Sequence, residues 1–148
     1  MSEKTLRIGV AVVLAAGLVV LGFVFRDRTE LPSSPEATVS EFFDAASRGD
    51  DVAYLRLLDG ELRQSLSAQR SQEGGNAFRE GIRRTATGIK GLATMRNADA
   101  PDGMVALDVD IVFADRNENQ RILLVPKGNG WAIVSIDAAQ MSKPPIPY

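Results

Sequence analysis

The side chains that most often perform chemistry in proteins are missing from this sequence, which contains no histidine and no cysteine. Without histidine it lacks the commonest general base and the commonest transition-metal ligand. Without cysteine, thiol catalysis, zinc-thiolate sites and disulfides are excluded. No GxGxxG or GxxxxGK[ST] phosphate-binding loop is present. Carboxylates, tyrosines and arginines remain, and no catalytic, cofactor-binding or metal-binding residue is predicted.

Two carboxylates, Asp108 and Asp110, stand two residues apart in the stretch "GMVALDVDIVF". On a β-strand both side chains would lie on one face, where a pair could share a cation or act as acid and base. The apolar residues of the stretch alternate with them, so the carboxylates are predicted to point away from any pocket between sheet and helices. Pairing across strands with Arg96 or Arg121 is the interpretation we favour.

A second polar stretch, "DRNENQ", places Asp115, Asn117 and Asn119 at the alternating positions that begin a calcium-binding loop. The glycine and the glutamate that such a loop needs further on are missing. We therefore predict a hairpin turn here and no metal site.

Four aromatic residues, Phe42, Phe43, Tyr54 and Trp131, are the candidates for lining an apolar pocket. Aromatic side chains at such positions more often belong to the hydrophobic core. Both interpretations, pocket lining and core, are kept as expectations.

An unbroken run of 18 apolar or glycine residues extends from Ile8 to Phe25. As a helix rising about 1.5 Å per residue, it approaches the ~30 Å hydrocarbon core of a bilayer. It is longer than the apolar core of a cleaved secretory signal, and it ends in "FVFRDR" without the small residues of a cleavage site. The sequence therefore predicts an uncleaved transmembrane anchor at residues 6–26, after a short cytoplasmic head at residues 1–5, so that the lipid bilayer is a binding partner.

The orientation of this anchor follows from the size of its two flanks, because their charges balance: Lys4 and Arg7 precede it, and Arg26 and Arg28 follow it. A head of so few residues favours export of the larger domain. The chain has neither cysteine nor an N-x-[ST] glycosylation acceptor, which fits a bacterial envelope protein. We expect a single-pass protein of the bacterial inner membrane with its main domain on the extracytoplasmic side.

The remainder divides into a linker at residues 27–35, one domain at residues 36–139 and a Pro-rich tail at residues 140–148. From residue 29 onward the chain carries 13 Lys and Arg residues against 17 Asp and Glu residues, so no nucleic-acid partner is expected. The basic residues cluster in the middle of the domain. They form either an anion- or phospholipid-facing patch or a solvated helix face. They are Arg63, Arg70, Arg79, Arg83, Arg84, Lys90 and Arg96.

The first half of the domain has the apolar spacing of short amphipathic helices. The first is predicted from a serine cap to Gly49, and the second from Asp50 or Asp51 to Gly60. Two weaker helical patterns, "ELRQSLSAQR" and "AFREGIRRTA", are separated by "EGGN". Together they form a layer of helices that needs another layer to cover it.

The second half alternates with a period of two, as β-strands do. Strands are predicted in "GIKGLATMR", "GMVALDVDIVF", "RILLVP" and "WAIVSID", with Asn129-Gly130 as a hairpin turn. The fold class is therefore α+β, with helices on one face of a curved four-stranded antiparallel sheet. The last two strands are apolar on both faces, so a second copy, a partner protein or the tail from Met141 to Tyr148 should cover the face without helices.

The order of elements, with "EFFDAASRGD" at its start and "GNGWAIVSID" at its end, resembles the nuclear-transport-factor-2-like superfamily, a cone-shaped α+β fold. The resemblance covers residues 36–138. It implies a cone with an apolar cavity, and membrane-anchored members recur in bacterial envelopes. Its steroid-isomerase-like and cyclase-like enzymes use an acid and tyrosines inside the cone, but no inward-pointing acid can be named beside Tyr54 here.

We therefore expect a non-enzymatic, membrane-anchored envelope protein whose exported domain binds a protein partner or a second copy through its sheet. The alternative is a tethered module that binds a small ligand in the apolar cone cavity. An isomerase-like or cyclase-like enzyme ranks below both. No cofactor is expected.

Overall fold

The computed structural model describes residues 30–142. The predicted head and membrane anchor, at residues 1–26, lie outside the described residues, as do residues 27–29 of the predicted linker and residues 143–148 of the predicted tail. No helix within residues 30–142 has the length and apolar character needed to cross a bilayer.

The first half of the described chain forms four helices. These are α1 (Pro35–Arg48), α2 (Asp51–Arg56), α3 (Gly60–Glu73) and α4 (Gly75–Ala86). The Ser34 side chain caps α1, and Gly49 ends it with a φ of 65°. The Asp50 side chain accepts a hydrogen bond from the Ala53 N–H and caps α2. The predicted caps are therefore confirmed.

Helix α2 ends earlier than predicted, at Arg56 and not at Gly60. The residues that follow pair with the sheet instead. The Ile133 N–H donates to the Leu57 carbonyl at 2.8 Å, and the Asp59 N–H donates to the Ile133 carbonyl at 2.8 Å. These bonds satisfy backbone groups that a longer helix would have used within itself, so the helix stops where the sheet offers partners.

The second half forms one antiparallel sheet in the order β1-β2-β3-β4. Its strands are β1 (Ile89–Asn97), β2 (Val105–Phe113), β3 (Asn117–Lys127), β4 (Gly130–Ile136) and a short β5 (Gln140–Ser142). Strand β5 pairs with Asn117–Asn119 of β3, whose other side is occupied by β2. Strand β5 therefore lies on the same side of β3 as β4 does. It consists of the first three residues of the predicted tail.

The turn between β3 and β4 differs from the predicted Asn129-Gly130 turn by one residue. Lys127 pairs with Gly130, so the two loop residues are Gly128 and Asn129. Gly128 has a φ of 59°, and no residue other than glycine has a positive φ in the described chain. A left-handed glycine followed by a residue with negative φ suits a two-residue hairpin.

The core lies between the helices and one face of the sheet. From the helices it takes Phe42, Phe43, Leu58, Phe78 and others, and from β2 the alternating residues Leu107, Val109, Ile111 and Phe113. Helix α3 contributes no fully buried residue, and its Leu62 and Leu66 only border the core. The α+β class and the helices packed against an antiparallel sheet are confirmed.

Gly130 is needed for close packing and not for the turn. A methyl group there would lie 2.5 Å from the Leu31 Cβ and 2.6 Å from the Leu31 carbonyl oxygen. We expect Gly130→Ala to lower the free energy of unfolding by about 1–3 kcal/mol, because Leu31 or the strand must move. Urea unfolding of residues 29–148 measures this change.

Gly81→Ala is the matched control. Gly81 lies inside α4 with no atom within 4 Å of an added methyl group. Alanine should stabilise that helix by up to about 1 kcal/mol. Equal losses in both variants would contradict the assigned contact with Leu31.

Candidate functional site

The face of the sheet turned away from the helices, called here the outer face, carries the candidate site. The core-facing residues of β2 alternate with Ala106, Asp108 and Asp110, which therefore lie on the outer face. The strand register places Asn119 and Arg121 of β3 on the same face. Both carboxylates thus point away from the helix layer, as predicted.

A groove of about 680 Å³ runs over the polar part of the outer face. Ala93, Thr94 and Met95 of β1 form one side, and the connection between β4 and β5 forms the other. The Met95 side chain is prominent because the residue is 69% exposed. The polar residues that line the groove are Asp108, Asp110, Asn119, Arg121, Asp137 and Gln140.

Asp108 is held by side chains from both neighbouring strands. Its Oδ1 lies 3.5 Å from the Arg121 Nε, and its Oδ2 accepts a hydrogen bond from the Asn97 Nδ2 at 2.9 Å. Pairing with Arg121 is therefore confirmed. Pairing with Arg96 is wrong, because Arg96 lies on the helix side and bonds to Glu36 of α1 at 2.7 Å. The hydrogen bond from Arg96 holds the pKa of the Glu36 carboxyl below its usual range.

Asp110 has one neutral partner, the Asn119 Nδ2, which donates to its Oδ1 at 2.7 Å. The hairpin predicted at "DRNENQ" is confirmed, since Asn117 and Asn119 belong to β3 and only residues 114–116 form the turn. The groove lining holds three carboxylates and one guanidinium. No three acidic side chains converge as a metal would require anywhere in residues 30–142. The groove is suited to binding a partner or ligand, because its charged side chains are spread along an open surface.

The four aromatic candidates are not part of this groove. Phe42, Phe43 and Tyr54 are buried, with 5%, 7% and 8% of their surface exposed, and Trp131 packs at the border of the core. The Phe42 and Tyr54 rings stack at 4.5 Å, and Phe78 approaches Tyr54 edge-on at 6.2 Å. These residues fill space between α1, α2 and α4, and a ligand-binding role for them stays a prediction.

Burial raises the pKa of Tyr54 to about 12. Because the folded protein keeps this hydroxyl neutral while the unfolded chain ionises it near its ordinary value of 10.0, Tyr54 stabilises the fold below pH 10. That contribution should be lost progressively between pH 10 and about 12. In a Tyr148→Phe variant, ultraviolet titration should show no tyrosinate forming near pH 10. A normal titration at that pH would mean that the Tyr54 hydroxyl is hydrated.

The basic stretch is largely engaged in holding the helices together. Asp51, only 6% exposed, accepts from the Arg70 Nε at 2.6 Å and lies 3.5 Å from the Arg79 Nη1. It therefore joins the start of α2 to α3 and α4. Arg83 pairs with Glu80, and its guanidinium lies over Gly49 at the C-terminal end of α1. A guanidinium is favourable there because helix C-termini carry partial negative charge.

The sequence pattern places Asp51 only at the start of the second helix and does not predict its arginine partners. The partners follow it by 19 and 28 residues, a separation that no local pattern reports. A charged residue in the first turn of a six-residue helix was the only available signal.

We expect Asp51→Asn to lower the free energy of unfolding by about 2–4 kcal/mol, because two arginines lose a buried anionic acceptor. Glu80→Gln is the control, since its pair with Arg83 is exposed and should contribute less than about 1 kcal/mol. Chemical denaturation of both variants measures the difference. Similar small losses would show that the Asp51 network is replaceable by water.

Comparison of the chain with models of protein families, with curated proteins and with solved structures gives no match.

Proposed function

We propose that this chain is a non-enzymatic interaction protein whose partner docks on the outer face of the sheet. In this proposal residues 6–26 anchor it in the bacterial inner membrane, and the domain lies on the extracytoplasmic side as a cone-like member of the nuclear-transport-factor-2-like superfamily. The groove on the outer face is the observation that carries the proposal.

Two properties of the outer face support docking. Beyond the polar groove lies an apolar end in which Leu123 and Val125 are only half-buried. An apolar area next to a polar groove with an exposed methionine is the composition of a protein-binding surface.

The aromatic cluster between the helices supports a role other than catalysis. Phe42, Tyr54 and Phe78 pack against one another in the hydrophobic core, which leaves less room there for the apolar pocket that the resemblance to steroid-isomerase-like enzymes implies. The alternative of a tethered ligand-binding module stays a prediction. A volume of about 680 Å³ is sufficient for a small ligand, but the groove lies on the face opposite to the one where that alternative placed its cavity.

A photoreactive benzoylphenylalanine at Val125 of the full-length chain, irradiated in native membranes, tests docking at the apolar end of the outer face. We expect a light-dependent covalent adduct heavier than the 15.9 kDa chain. The mass of the adduct separates a second copy from a different protein. Any partner covering the apolar end would lie within reach of this side chain.

Val52 is the matched control, because it is 68% exposed but belongs to α2 in the helix layer. The same probe at Val52 should give no discrete adduct. Equal labelling from both positions, or none from Val125, would contradict docking on the outer face.

A further inference from the structure

The two edge strands of the sheet, β4 and β1, differ in whether their outward backbone groups have hydrogen-bond partners. Along the β4 edge, the Trp131 N–H donates to the Pro32 carbonyl at 3.1 Å, and the Trp131 carbonyl accepts from the Thr38 hydroxyl at 3.0 Å. Both backbone groups of Ile133 are bonded to the segment that follows α2. This edge therefore has no room for a further strand at these positions.

The β1 edge has no such cover. No residue of the described chain hydrogen-bonds to the backbone of β1 on the side away from β2. The strand is nine residues long, contains no proline and has one irregularity, between Ile89 and Gly91. Sheet proteins usually shorten, kink or cover such edges, because a regular edge pairs with another strand. Residues 91–97 form a regular stretch that is open to pairing.

We propose that β1 pairs antiparallel with β1 of a second copy of this chain, around a two-fold axis at Thr94, to form one continuous sheet. This inference rests on the proposed interaction role and names its partner and edge. A two-fold axis perpendicular to the sheet keeps both helix layers on one side and both outer faces on the other.

Charge complementarity argues for a second copy as the occupant. Antiparallel pairing brings the beginning of one β1 beside the end of the other. The register centred on Thr94 pairs residues 91–97 of the two copies, so that Lys90, just before this stretch in one copy, comes near Ala98 and Asp99, just after it in the second copy. Lys90 and Asp99 are exposed, and neither side-chain charge has an ion-pair partner within residues 30–142. Because of the two-fold symmetry, the contact between Lys90 and Asp99 would occur twice in the dimer.

The alternative register centred on Ala93 is unfavourable, because it brings Lys90, which lies at the irregularity of β1, close to Arg96 of the second copy. The register centred on Thr94 instead places Met95 opposite Ala93, so that the exposed methionine gains an apolar neighbour. The acidic grooves do not clash, since the two β2 strands would lie three strand spacings apart, or about 14 Å. That separation exceeds the Debye length of about 8 Å at physiological ionic strength.

Cysteine cross-linking of the full-length chain in membranes tests the axis, with no background because the chain has no cysteine of its own. Across the axis the two Thr94 Cβ atoms of a regular antiparallel pair would lie about 4.5–5.5 Å apart, so an approach of about 1 Å brings them to the ~3.5–4.5 Å of a disulfide. Thr94→Cys should therefore give, after mild oxidation, at least about five-fold more disulfide-linked dimer than Val52→Cys, which is also exposed but lies on α2. Equal yields, or no dimer, would overturn the proposal.

Charge exchange tests the register. In the Thr94→Cys background, Lys90→Glu should lower the dimer yield severalfold, because it would set a carboxylate beside the carboxylate of Asp99 in the second copy. Adding Asp99→Lys should restore the yield, and failure of the double exchange to restore it would overturn the register centred on Thr94. Should Thr94→Cys not fold, co-expression of Ala93→Cys with Met95→Cys tests the same register, with each variant alone as its control.

The outcome separates this inference from the proposed function, because Val125 lies two strands away from the β1 edge. An adduct with a different protein at Val125, together with no dimer from Thr94→Cys, would retain docking on the outer face and reject the β1 pairing. A Thr94→Cys dimer without any Val125 adduct would retain the pairing and reject docking at the apolar end.

Discussion

The arrangement of this domain depends on the hydrogen bonds that close the β4 edge. Three separate parts of the chain converge on Trp131 and Ile133: the segment before α1 at Pro32, helix α1 through Thr38, and the segment that follows α2. Each bond satisfies a backbone group that would otherwise be costly to bury at the border of the core. Together they fix the helix layer against one side and one edge of the sheet. Within residues 30–142, the opposite edge has no backbone partner beyond β2.

The helix layer itself is held by both packing and charge. Aromatic rings from α1, α2 and α4 contact each other directly, while Asp51 connects α2 to arginines on α3 and α4. Helix α3 has no buried residue of its own, so its bond from Arg70 to Asp51 contributes to keeping it in place. A domain without disulfides needs such links where hydrophobic burial is thin. The arginine-rich stretch is therefore explained in large part by structure.

The sequence predicts the features that depend on neighbouring residues, and it does not predict those that depend on residues far apart in the chain. The caps of α1 and the two faces of β2 are determined by residues close together in the sequence, and both predictions are confirmed. The early end of α2, the short β5 and the Arg96–Glu36 pair depend on residues far apart in the chain, and none was anticipated. The groove was missed for a related reason. Asp108 and Asp110 were correctly placed away from the helices, but the connection between β4 and β5 that closes the groove beside them has no local signature.

The distribution of charge links these observations to the proposed role. On the helix side, several arginines are matched by carboxylates or a helix end, whereas the groove on the outer face holds three carboxylates against the single guanidinium of Arg121. An excess of one charge on an open surface favours approach of an oppositely charged group and opposes close stacking of two like faces. Two copies would therefore avoid meeting groove to groove. Pairing through β1 satisfies this constraint, because it joins the copies edge to edge and leaves both acidic grooves accessible on the same side of the extended sheet.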